Sequence, residues 1–486
     1  DPDVIRVEDT YYMVSTTMHF MPGCEILQSF DLVHWEHVTY VYETLDHTDA
    51  QQLKSGQNIY GQGMWAASLR YHEGRFCICF VANDTRKTYL YTSEKIDGPW
   101  KKQLIEGFYH DGSLLFDEDG RNYIVYGNDE IWITELNEDL TAPKKDGLHR
   151  LLVSDHKNPE LGYEGSHIQK INGYYYIFLI HSLRDRWMRT EACFYSDSLE
   201  GEFTGGDVLC DDRGYCGQGV AQGGIVDTPD GKWYAMLFQD SGAVGRIPIL
   251  LPVTWKDHFP FFGQNGHVPE EIEVHSTRPG YIYQPLVGSD DFCNGLLPRW
   301  QFNHDPDPRY YHLDALQGTY TITTREVCTE LTQAVNTLTQ RMSYPSCAAE
   351  VTVDASALKE GDVAGLCALQ SCYAAVGITK HHGKYEVLML DKKEDGILDM
   401  TEGIVVESHQ IDFRLEADFC NMKDEARCYY RVNKGDWLPI GTVHKLYFKL
   451  DHFTGCRFGL FCYAAEETGG SACFRDFKYY DVDEIS

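Results

Sequence analysis

Three carboxylates, one tryptophan and one glutamine occupy matched positions in a unit that recurs five times in the first half of the chain. The five residues are Asp1, Trp65, Asp111, Glu164 and Gln222. Nine positions after each comes the turn residue of its unit, which is Thr10, Gly74, Gly120, Gly173 or Gly231. Chance is a poor explanation for acidic residues at three of the five matched positions. Two carboxyl groups that flank one bond can donate and accept protons as it breaks, so the pattern indicates acid–base chemistry.

Glycoside hydrolysis is the reaction that suits this set of residues. It needs one carboxylic acid to protonate the leaving oxygen and a second carboxylate to activate water or to attack directly. The acid needs a pKa raised toward neutrality, which a neighbouring carboxylate provides through like-charge repulsion, so the third carboxylate would tune the acid. Trp65 would form a stacking wall for a sugar ring. A cation site and structural ion pairs with arginine are the alternatives for the three acids.

The repeated unit predicts the blades of a β-propeller. Each copy contains a short strand, a tight turn and a second strand rich in aromatic residues, as in EGSHIQKINGYYYIFL from residue 164. Unequal repeats of about 50 residues, each forming a small antiparallel sheet, are typical of propeller blades. A single sandwich would not explain the constant offset. Because equivalent positions of the blades surround the axis equivalently, the five first residues should ring one mouth of the central channel.

The residues after the repeats have a different pattern. Alternating strands, such as residues 319–323 and 447–450, are separated by turns and lack the repeated unit, which is typical of a β-sandwich. Residues 276–280 and 288–291 have the composition of linkers. We therefore expect an all-β protein, with a five-bladed propeller over residues 1–280 and a β-sandwich over residues 287–486.

Charge and hydropathy exclude two classes of partner. The 486 residues include 42 Lys and Arg against 74 Asp and Glu, for a formal net charge of −32. A surface this acidic repels phosphate backbones and anionic lipids, so we expect neither nucleic acid nor membrane as a partner. No run of ~18 apolar residues predicts a membrane span.

The 16 cysteines lie within apolar strand patterns and match no zinc spacing. Cys77 and Cys79 point to one face of one strand, where such neighbours seldom form a disulfide. We therefore expect free thiols in a reducing, cytoplasmic compartment. The chain opens within a strand pattern at Asp1-Pro2, without a Met, so we expect that leading residues are missing and leave a lost signal peptide open.

Three segments resemble the signature segments of glycoside hydrolase family 43. They are DPDVIRV at residues 1–7, HDGSLLF at residues 110–116 and EGSHI at residues 164–168. The tail, with NTLTQR from residue 336 and FRDFK from residue 474, is similar to the concanavalin-like C-terminal domain of β-xylosidases in that family. The resemblance covers the whole chain, and it implies a five-bladed propeller, a jelly-roll sandwich and hydrolysis with inversion.

Roles carried over from the resemblance fall on five residues. Asp1 matches the general base and Glu164 the general acid. Asp111 matches the carboxylate that modulates the pKa of the acid and orients the substrate. Trp65 and Arg246 match positions that line the pocket, although a structural ion pair is the alternative for Arg246.

The chain departs from the family pattern at two places. Counting from the base, Met18 stands where many xylosidases place a wall phenylalanine, with His19 and Phe20 adjacent. Many members have a His in a Gly-His-Gly setting, sometimes tied to a Ca²⁺ at the propeller axis, where this chain has Gln222 between Ala221 and Gly223. We include Met18, His19 and Gln222 among the expected substrate contacts. We expect no required cofactor and no metal ligands, and keep a structural axial Ca²⁺ as an open implication of the resemblance.

The resemblance implies an exo-acting enzyme that releases terminal β-D-xylosyl or α-L-arabinofuranosyl residues from plant xylo- or arabino-oligosaccharides. In the resembling enzymes the sandwich domain closes one side of the pocket, which favours chain ends. The alternatives are an endo-arabinanase, which needs an open groove, and a non-catalytic propeller lectin, which does not need the three acids. The sequence leaves open the preference between the two sugars and whether the chain forms a homo-oligomer.

Overall fold

The computed structural model describes residues 1–481, and the last five residues of the predicted second domain, 482–486, lie outside the described residues. Five four-stranded sheets are followed by two larger sheets, which confirms the prediction of an all-β protein with a five-bladed propeller and a β-sandwich. In the described part of the chain, helix is limited to 3-10 turns at Lys54–Gly56, Gly242–Val244, Leu331–Gln333, Cys420–Met422 and Leu450–His452. None of the helices within residues 1–481 is long and apolar enough to cross a membrane.

The five blades follow one another along the chain, and in each blade the strands pair antiparallel in chain order. Blade 1 contains β1 (Asp3–Val7), β2 (Thr10–Val14), β4 (Gly23–Ser29) and β5 (Glu36–Tyr42), while the short β3 (Phe20–Met21) pairs with the second domain. Blade 2 contains β6 (Met64–His72), β7 (Arg75–Ala82), β8 (Lys87–Ser93) and β9 (Lys101–Ile105). Blade 3 contains β10 (Ser113–Phe116), β11 (Asn122–Asn128), β12 (Glu130–Leu136) and β13 (His149–Ser154). Blade 4 contains β14 (Glu164–Ile171), β15 (Tyr174–Ser182), β16 (Arg189–Ser196) and β17 (Thr204–Leu209). Blade 5 contains β18 (Ala221–Asp227), β19 (Trp233–Asp240), β20 (Arg246–Lys256) and β21 (Phe259–Phe262).

The turn between the two inner strands differs in blade 1 from the predicted position. In blade 2 the turn contains Gly74, whose φ of +78° lies in the left-handed region that glycine adopts without steric cost. In blade 1, Val7 pairs directly with Thr10, so Thr10 begins β2 and the predicted turn at Thr10 is wrong by one residue. The inner strand β6 carries a bulge between Trp65 and Ser68, whereas β1 pairs without a register shift. The bulge adds one residue to β6. Asp1 and Trp65 therefore occupy equivalent positions at the mouth, although the turns of the two blades are offset by one residue.

The apolar cores of the propeller lie between neighbouring blades. Blades 1 and 5 share the buried residues Val4, Tyr11 and Met236, and comparable clusters lie between each other pair of neighbours. An ion pair between Arg6 Nη2 and Asp227 Oδ2, at 2.5 Å, also joins these two blades. The ring is therefore closed by packing between its first and last sheets, which holds the ends of all five inner strands around one axis.

The second domain is a sandwich of two antiparallel sheets. One sheet contains β3, β22 (Gln301–Asn303), β25 (Leu338–Arg341), β27 (Asp362–Leu369), β28 (Ala374–His381), β29 (Lys384–Lys392), β30 (Leu398–Met400), β31 (Ile404–Val406) and β35 (Arg457–Ala464). The other contains β23 (Tyr311–Asp314), β24 (Thr319–Thr323), β26 (Ser346–Asp354), β32 (Gln410–Asp418), β33 (Glu425–Val432), β34 (Leu438–Lys445) and β36 (Ser471–Asp481). Their facing side chains form one large core.

The sandwich is attached to the propeller through blade 1. Strand β3 pairs with β22, and Arg341 Nη2 lies 2.5 Å from Glu25 Oε2. The segment predicted as a linker also lies against blade 1, since Arg278 Nε donates to Asp9 Oδ2 at 2.8 Å. All cysteines lie within the described residues and are unpaired, in agreement with the expected free thiols.

Candidate active site

The five matched residues lie at the starts of the inner strands, at one end of the propeller channel. Glu164 begins β14, Trp65 and Gln222 are the second residues of β6 and β18, and Asp1 and Asp111 precede β1 and β10 by two residues. A cavity of about 10 Å³ on the axis is lined by Asp1, Asp111 and Gln222 together with Gly165, the neighbour of Glu164. The structure therefore brings the three acids to one mouth.

The side chain of Asp1 is held on both of its oxygens. Arg246 Nη1 donates to Asp1 Oδ1 at 2.5 Å, and the Thr16 hydroxyl donates to Asp1 Oδ2 at 2.5 Å. The same hydroxyl oxygen accepts a hydrogen bond from the backbone N–H of Ala66 at 3.0 Å, which fixes its position. Each carboxylate oxygen has a second lone pair, so both contacts leave Asp1 able to accept a proton from a water molecule.

Glu164 and Asp111 lie together on the other side of the mouth. Glu164 is part-exposed, and Glu164 Oε2 accepts a hydrogen bond from Asn128 Nδ2 at 2.8 Å. Asp111 is buried, and its Oδ2 accepts a hydrogen bond from the backbone N–H of Gly165 at 3.1 Å. His110 contacts both acids, with Nε2 3.6 Å from Asp111 Oδ2 and 3.7 Å from Glu164 Oε2. One imidazole and two carboxyl groups thus form a compact acid–base cluster.

Burial and charge shift the pKa values within this cluster in known directions. Desolvation is the largest cause for Asp111 and raises the pKa of its carboxyl, against the opposing effect of His110. The negative charge of Asp111 raises the pKa of His110 to about 9, against the opposing effect of burial and together with contact with Glu164. The imidazole is therefore protonated at neutral pH, in contact with two acids.

Within residues 1–481, these three side chains also form a group that could ligate a metal ion. Their possible ligand atoms all lie within 4.8 Å of one another. A protonated imidazole has no free lone pair for a cation. A proton and a cation would therefore compete for the same nitrogen of His110.

The structure gives Arg246 both of the roles considered from the sequence. It contacts Asp1 at the mouth, and Arg246 Nε lies 3.2 Å from Asp240 Oδ1. The other oxygen of Asp240 contacts Arg189, a buried arginine at the start of β16. Two arginines and two acids thus alternate from Asp1 into blade 4, and this chain of opposite charges fixes the position of the Asp1 carboxylate.

The sandwich domain supports the wall of the mouth from behind Trp65. Trp65 is half-buried, and Phe453 of the sandwich packs edge-to-face against it with ring centroids 5.2 Å apart. The Arg246 guanidinium lies 4.1 Å from the centroid of the Phe453 ring. Sequence reasoning missed Phe453, because nothing in a distant loop of a separate domain indicates that it reaches the propeller mouth.

The structure places Met18 and His19 in the interior rather than at the mouth, where substrate contacts were expected. Both are fully buried. Met18 exchanges backbone hydrogen bonds with Met64, at 3.0 and 3.2 Å, which turns the loop inward. His19 instead packs against the rings of His304 and His452 from the sandwich domain, with centroids 4.8 and 5.4 Å away.

Arg70 occupies the axis beneath the acids, donating to Asp3 Oδ2 at 2.7 Å and to the Ser113 hydroxyl at 2.8 Å. Asp3 also accepts from the backbone N–H of Leu69 at 2.7 Å, and His167 Nδ1 lies 3.2 Å away. A structural Ca²⁺ in the adjoining cavity of about 10 Å³ stays an implication of the resemblance. The Arg70 guanidinium supplies the positive charge at this point of the axis.

Gln222 contributes to the mouth mainly through its backbone. It is buried, and its N–H donates to Glu191 Oε2 at 2.7 Å. Burial raises the pKa of Glu191 well above its usual range. The side chain of Gln222 lies against Gly165, where any larger residue would collide with it. Gln222 therefore helps to set the position of the backbone next to Glu164.

A larger cavity of about 400 Å³ lies behind Asp1, between blades 1 and 5 and the sandwich. Its lining combines apolar side chains, including Met13 and Met236, with polar ones, including Thr16 and Arg246. Asp1 therefore lies between this cavity and the small axial cavity that it shares with Asp111.

Comparison with known proteins identifies relatives of both domains. The model of the family described as glycosyl hydrolases family 43 matches residues 1–260, more than half of the chain. The β-xylosidase C-terminal concanavalin A-like domain matches residues 289–480. A β-xylosidase of Formosa agariphila is 26% identical over 99% of this chain and 87% of its own length. A non-reducing end α-L-arabinofuranosidase of Bacteroides ovatus is 23% identical over 82% of this chain and 78% of its own length.

A solved structure resembles the whole chain closely. It is described as a bifunctional GH43-CE protein of Bacteroides eggerthii, and it is 42% identical with a TM-score of 0.92. The similarity covers 100% of this chain and 62% of that chain, so this chain spans less than two thirds of that protein's length.

Proposed function

The chain belongs to glycosyl hydrolase family 43, and from this premise we propose that it is an inverting exo-glycosidase acting on xylo- or arabino-oligosaccharides. It releases terminal β-D-xylosyl or α-L-arabinofuranosyl residues. The observation that carries the proposal is the placement of Asp1 and of the Asp111–Glu164 pair at one propeller mouth, on different blades. The names of the β-xylosidase and arabinofuranosidase relatives support the two sugars.

Glu164 is the proposed general acid. Its Oε2 accepts a hydrogen bond from Asn128, which leaves Oε1 to carry the proton toward the leaving oxygen. The side chain is 22% exposed, so a bound glycoside can reach it. Asp111 lies buried beside it, and the backbone N–H of Gly165 holds its Oδ2 in place.

Asp1 is the proposed general base. The contacts with Arg246 and Thr16 orient its carboxylate, and the remaining lone pairs accept a proton from the attacking water. Inversion requires the water to fit between the base and the sugar, and in inverting enzymes the two carboxyl groups are about 6.5–9.5 Å apart. The hydroxide formed as Asp1 takes the proton attacks the anomeric carbon while the leaving oxygen takes the proton of Glu164.

Exo action is supported by the contribution of the sandwich domain. Phe453 and Trp65 form an aromatic corner at one side of the mouth, and Thr454 follows directly. A mouth narrowed from one side accepts a chain end more readily than the middle of a polymer. An endo-arabinanase would need an open groove at this place.

Hydrolysis of aryl β-xyloside and aryl α-L-arabinofuranoside, measured side by side, tests the proposal. We expect release of the aryl group from at least one of the two, and release of single sugars from the matching oligosaccharide. Binding of the oligosaccharides without any hydrolysis would contradict the proposal and indicate a lectin. Products longer than one sugar would contradict exo action.

A further inference from the structure

His110 has no role in the mechanism above, yet it contacts two of the three acids. Its Nε2 lies 3.6 Å from Asp111 Oδ2 and 3.7 Å from Glu164 Oε2. These distances exceed those of a hydrogen bond, so the interaction is mainly between charges. The side chain is 23% exposed, which places it at the edge of the mouth rather than in the open solvent.

The backbone around His110 fixes this position. Its carbonyl oxygen accepts a hydrogen bond from the N–H of Gly127 at 3.1 Å, at the end of β11. Asp111 follows with a φ of +47°, a left-handed conformation that non-glycine residues rarely adopt. This turn sends the two consecutive side chains toward the same mouth, so that the imidazole and the Asp111 carboxylate lie side by side.

The charges that face His110 are mostly negative. Asp111 and Glu164 are the acids in contact, and Arg86 is the nearby cation that opposes protonation of the ring. Arg86 itself lies over the ring of Phe108, 3.9 Å from its centroid. Arg246 interacts with the charge of Asp111, and the buried Arg189 with that of Glu164. The imidazolium is therefore the positive group in contact with both Asp111 and Glu164.

We propose that His110, as an imidazolium, is a positioning residue that holds the general acid and compensates the charge it acquires when its proton leaves. The proposal rests on the proposed function of Glu164. A general acid carries its proton before the reaction, so in the proposed mechanism Glu164 begins protonated beside Asp111. As the glycosidic oxygen takes the proton, a second negative charge develops next to the first. The imidazolium stabilises that product state and so lowers the barrier to proton transfer.

Removal of His110 and removal of Asp111 should shift the pKa of Glu164 in opposite directions. A positive neighbour favours the ionised form of Glu164, and its removal raises the pKa of that carboxyl. A negative neighbour acts in the opposite direction. In His110→Gln, the alkaline limb of the kcat/KM profile should therefore move to higher pH, by about 1 to 3 units, the usual effect of an opposite charge at this range.

At pH values below the alkaline limb, the same variant should hydrolyse its substrates more slowly than the wild type. Its Glu164 is a weaker acid, so we expect kcat to fall about tenfold or more on oligosaccharides with poor leaving groups, and less on aryl glycosides that need little protonation. His110→Lys restores a positive charge and should return the alkaline limb to near its original position. His34→Gln is the matched control, because His34 forms an exposed pair with Asp31 at 2.8 Å outside the mouth.

An alkaline limb that stays in place or moves to lower pH in His110→Gln would overturn the proposal. Identical alkaline limbs in His110→Gln and His110→Lys would overturn it as well, because the shift would then not depend on the charge of residue 110. A wild-type protein that hydrolyses neither glycoside contradicts the proposed function instead, so the two failures are distinguishable.

A measurement on the wild-type protein keeps the proposal testable if the variants do not fold. In the NMR spectrum of protein labelled at histidine, we expect the ring of His110 to remain protonated at pH 7.5. The ring is assigned by its proximity to Asn128 or by comparison with any folded substitution at this position. A ring that is neutral at this pH would overturn the proposal whatever the activity.

Discussion

Phe453 of the sandwich and Trp65 of the propeller pack edge-to-face at the mouth, with an interplanar angle of 88°. The arrangement makes the candidate site dependent on both domains, because neither aromatic side chain alone forms the corner. Phe453 is fully buried, and its ring also lies against the guanidinium of Arg246, which orients Asp1. The sandwich thus contacts the site through one residue that supports both the wall and the base.

Replacing Phe453 with Ala should weaken substrate binding and the base together. We expect KM to rise and kcat to fall, with kcat/KM reduced about two- to tenfold, since an aromatic pair contributes about 0.5–1.5 kcal/mol beyond its buried area. Phe453→Leu keeps an apolar side chain and should lose less. Steady-state kinetics of both variants on one aryl glycoside provide the check. Unchanged kinetics in the Ala variant would show that the sandwich domain is not part of the site.

Replacing Glu164 with Gln removes the proton but keeps the hydrogen-bonding shape. General acid catalysis contributes about 10²–10⁴-fold, and activated aryl leaving groups need less of it. The variant should therefore lose far more activity on oligosaccharides than on aryl glycosides with acidic leaving groups. The two ratios of kcat/KM to wild type are compared at one pH. Equal losses on both substrates would mean that Glu164 is not the acid.

Replacing Asp111 with Asn should move the alkaline limb of kcat/KM to lower pH. The substitution removes the negative charge that disfavours ionisation of Glu164, so Glu164 loses its proton more easily. Each pH unit of movement corresponds to about 1.4 kcal/mol of lost coupling. The expected direction is opposite to that for His110→Gln. An activity loss with an unmoved limb would leave Asp111 as a substrate-binding residue only.

Inversion is expected at the anomeric carbon. Asp1 is oriented by two contacts and lies on a blade separate from Glu164, an arrangement that suits a base acting through water. Proton NMR of the first sugar released, recorded before mutarotation, identifies its configuration. A product with the configuration of the substrate would indicate that a carboxylate attacks directly, as in retaining enzymes with carboxyl groups about 5–5.5 Å apart.

The repeated unit made the fold and the positions of the acids predictable from the sequence. Equivalent residues of a propeller surround one axis, so a pattern along the chain becomes a ring in space. The match survived even in blade 1, where the missing bulge moved the turn by one residue. The domain limits of 1–280 and 287–486, and the catalytic roles of the acids, stay predictions.

Features that depend on loop direction were not predictable. Counting along the chain placed Met18 and His19 at the pocket wall, but Met18 has a φ of +53° and bonds to Met64, which turns both side chains into the interior. His110 was part of a recognised motif, yet its contact with Glu164 depends on how two blades meet. Phe453 belongs to a loop whose position is set by the packing of one whole domain on another.

The inward turn of His19 creates a buried cluster of rings between the domains. His19 packs against Tyr60 and His304, both with centroids 4.8 Å away, and neither of its ring nitrogens has a hydrogen-bond partner within the described residues. His304 Nε2 accepts a hydrogen bond from the backbone N–H of Ile59 at 3.0 Å, which requires that nitrogen to be unprotonated. Both histidines are therefore neutral in the folded protein, directly behind the loop that carries Phe453.

This cluster should make the folded protein sensitive to acid. Burial lowers the pKa of His304 to about 3 and that of His19 well below its usual range. In the unfolded chain both titrate near 6.5, so their contribution to stability is complete above that pH and is lost as pH falls toward the folded pKa. At pH 5 each of the two histidines lowers the unfolding free energy by about 2 kcal/mol relative to pH 7.5.

His19→Phe keeps a ring and removes one of these groups. Its loss of stability between pH 7.5 and 5, measured in urea titrations, should therefore be smaller by about that amount. His34→Phe, at a site 67% exposed, serves as the control and should lose as much stability as wild type. Equal acid sensitivity in wild type and His19→Phe would show that His19 is not neutral and buried in solution.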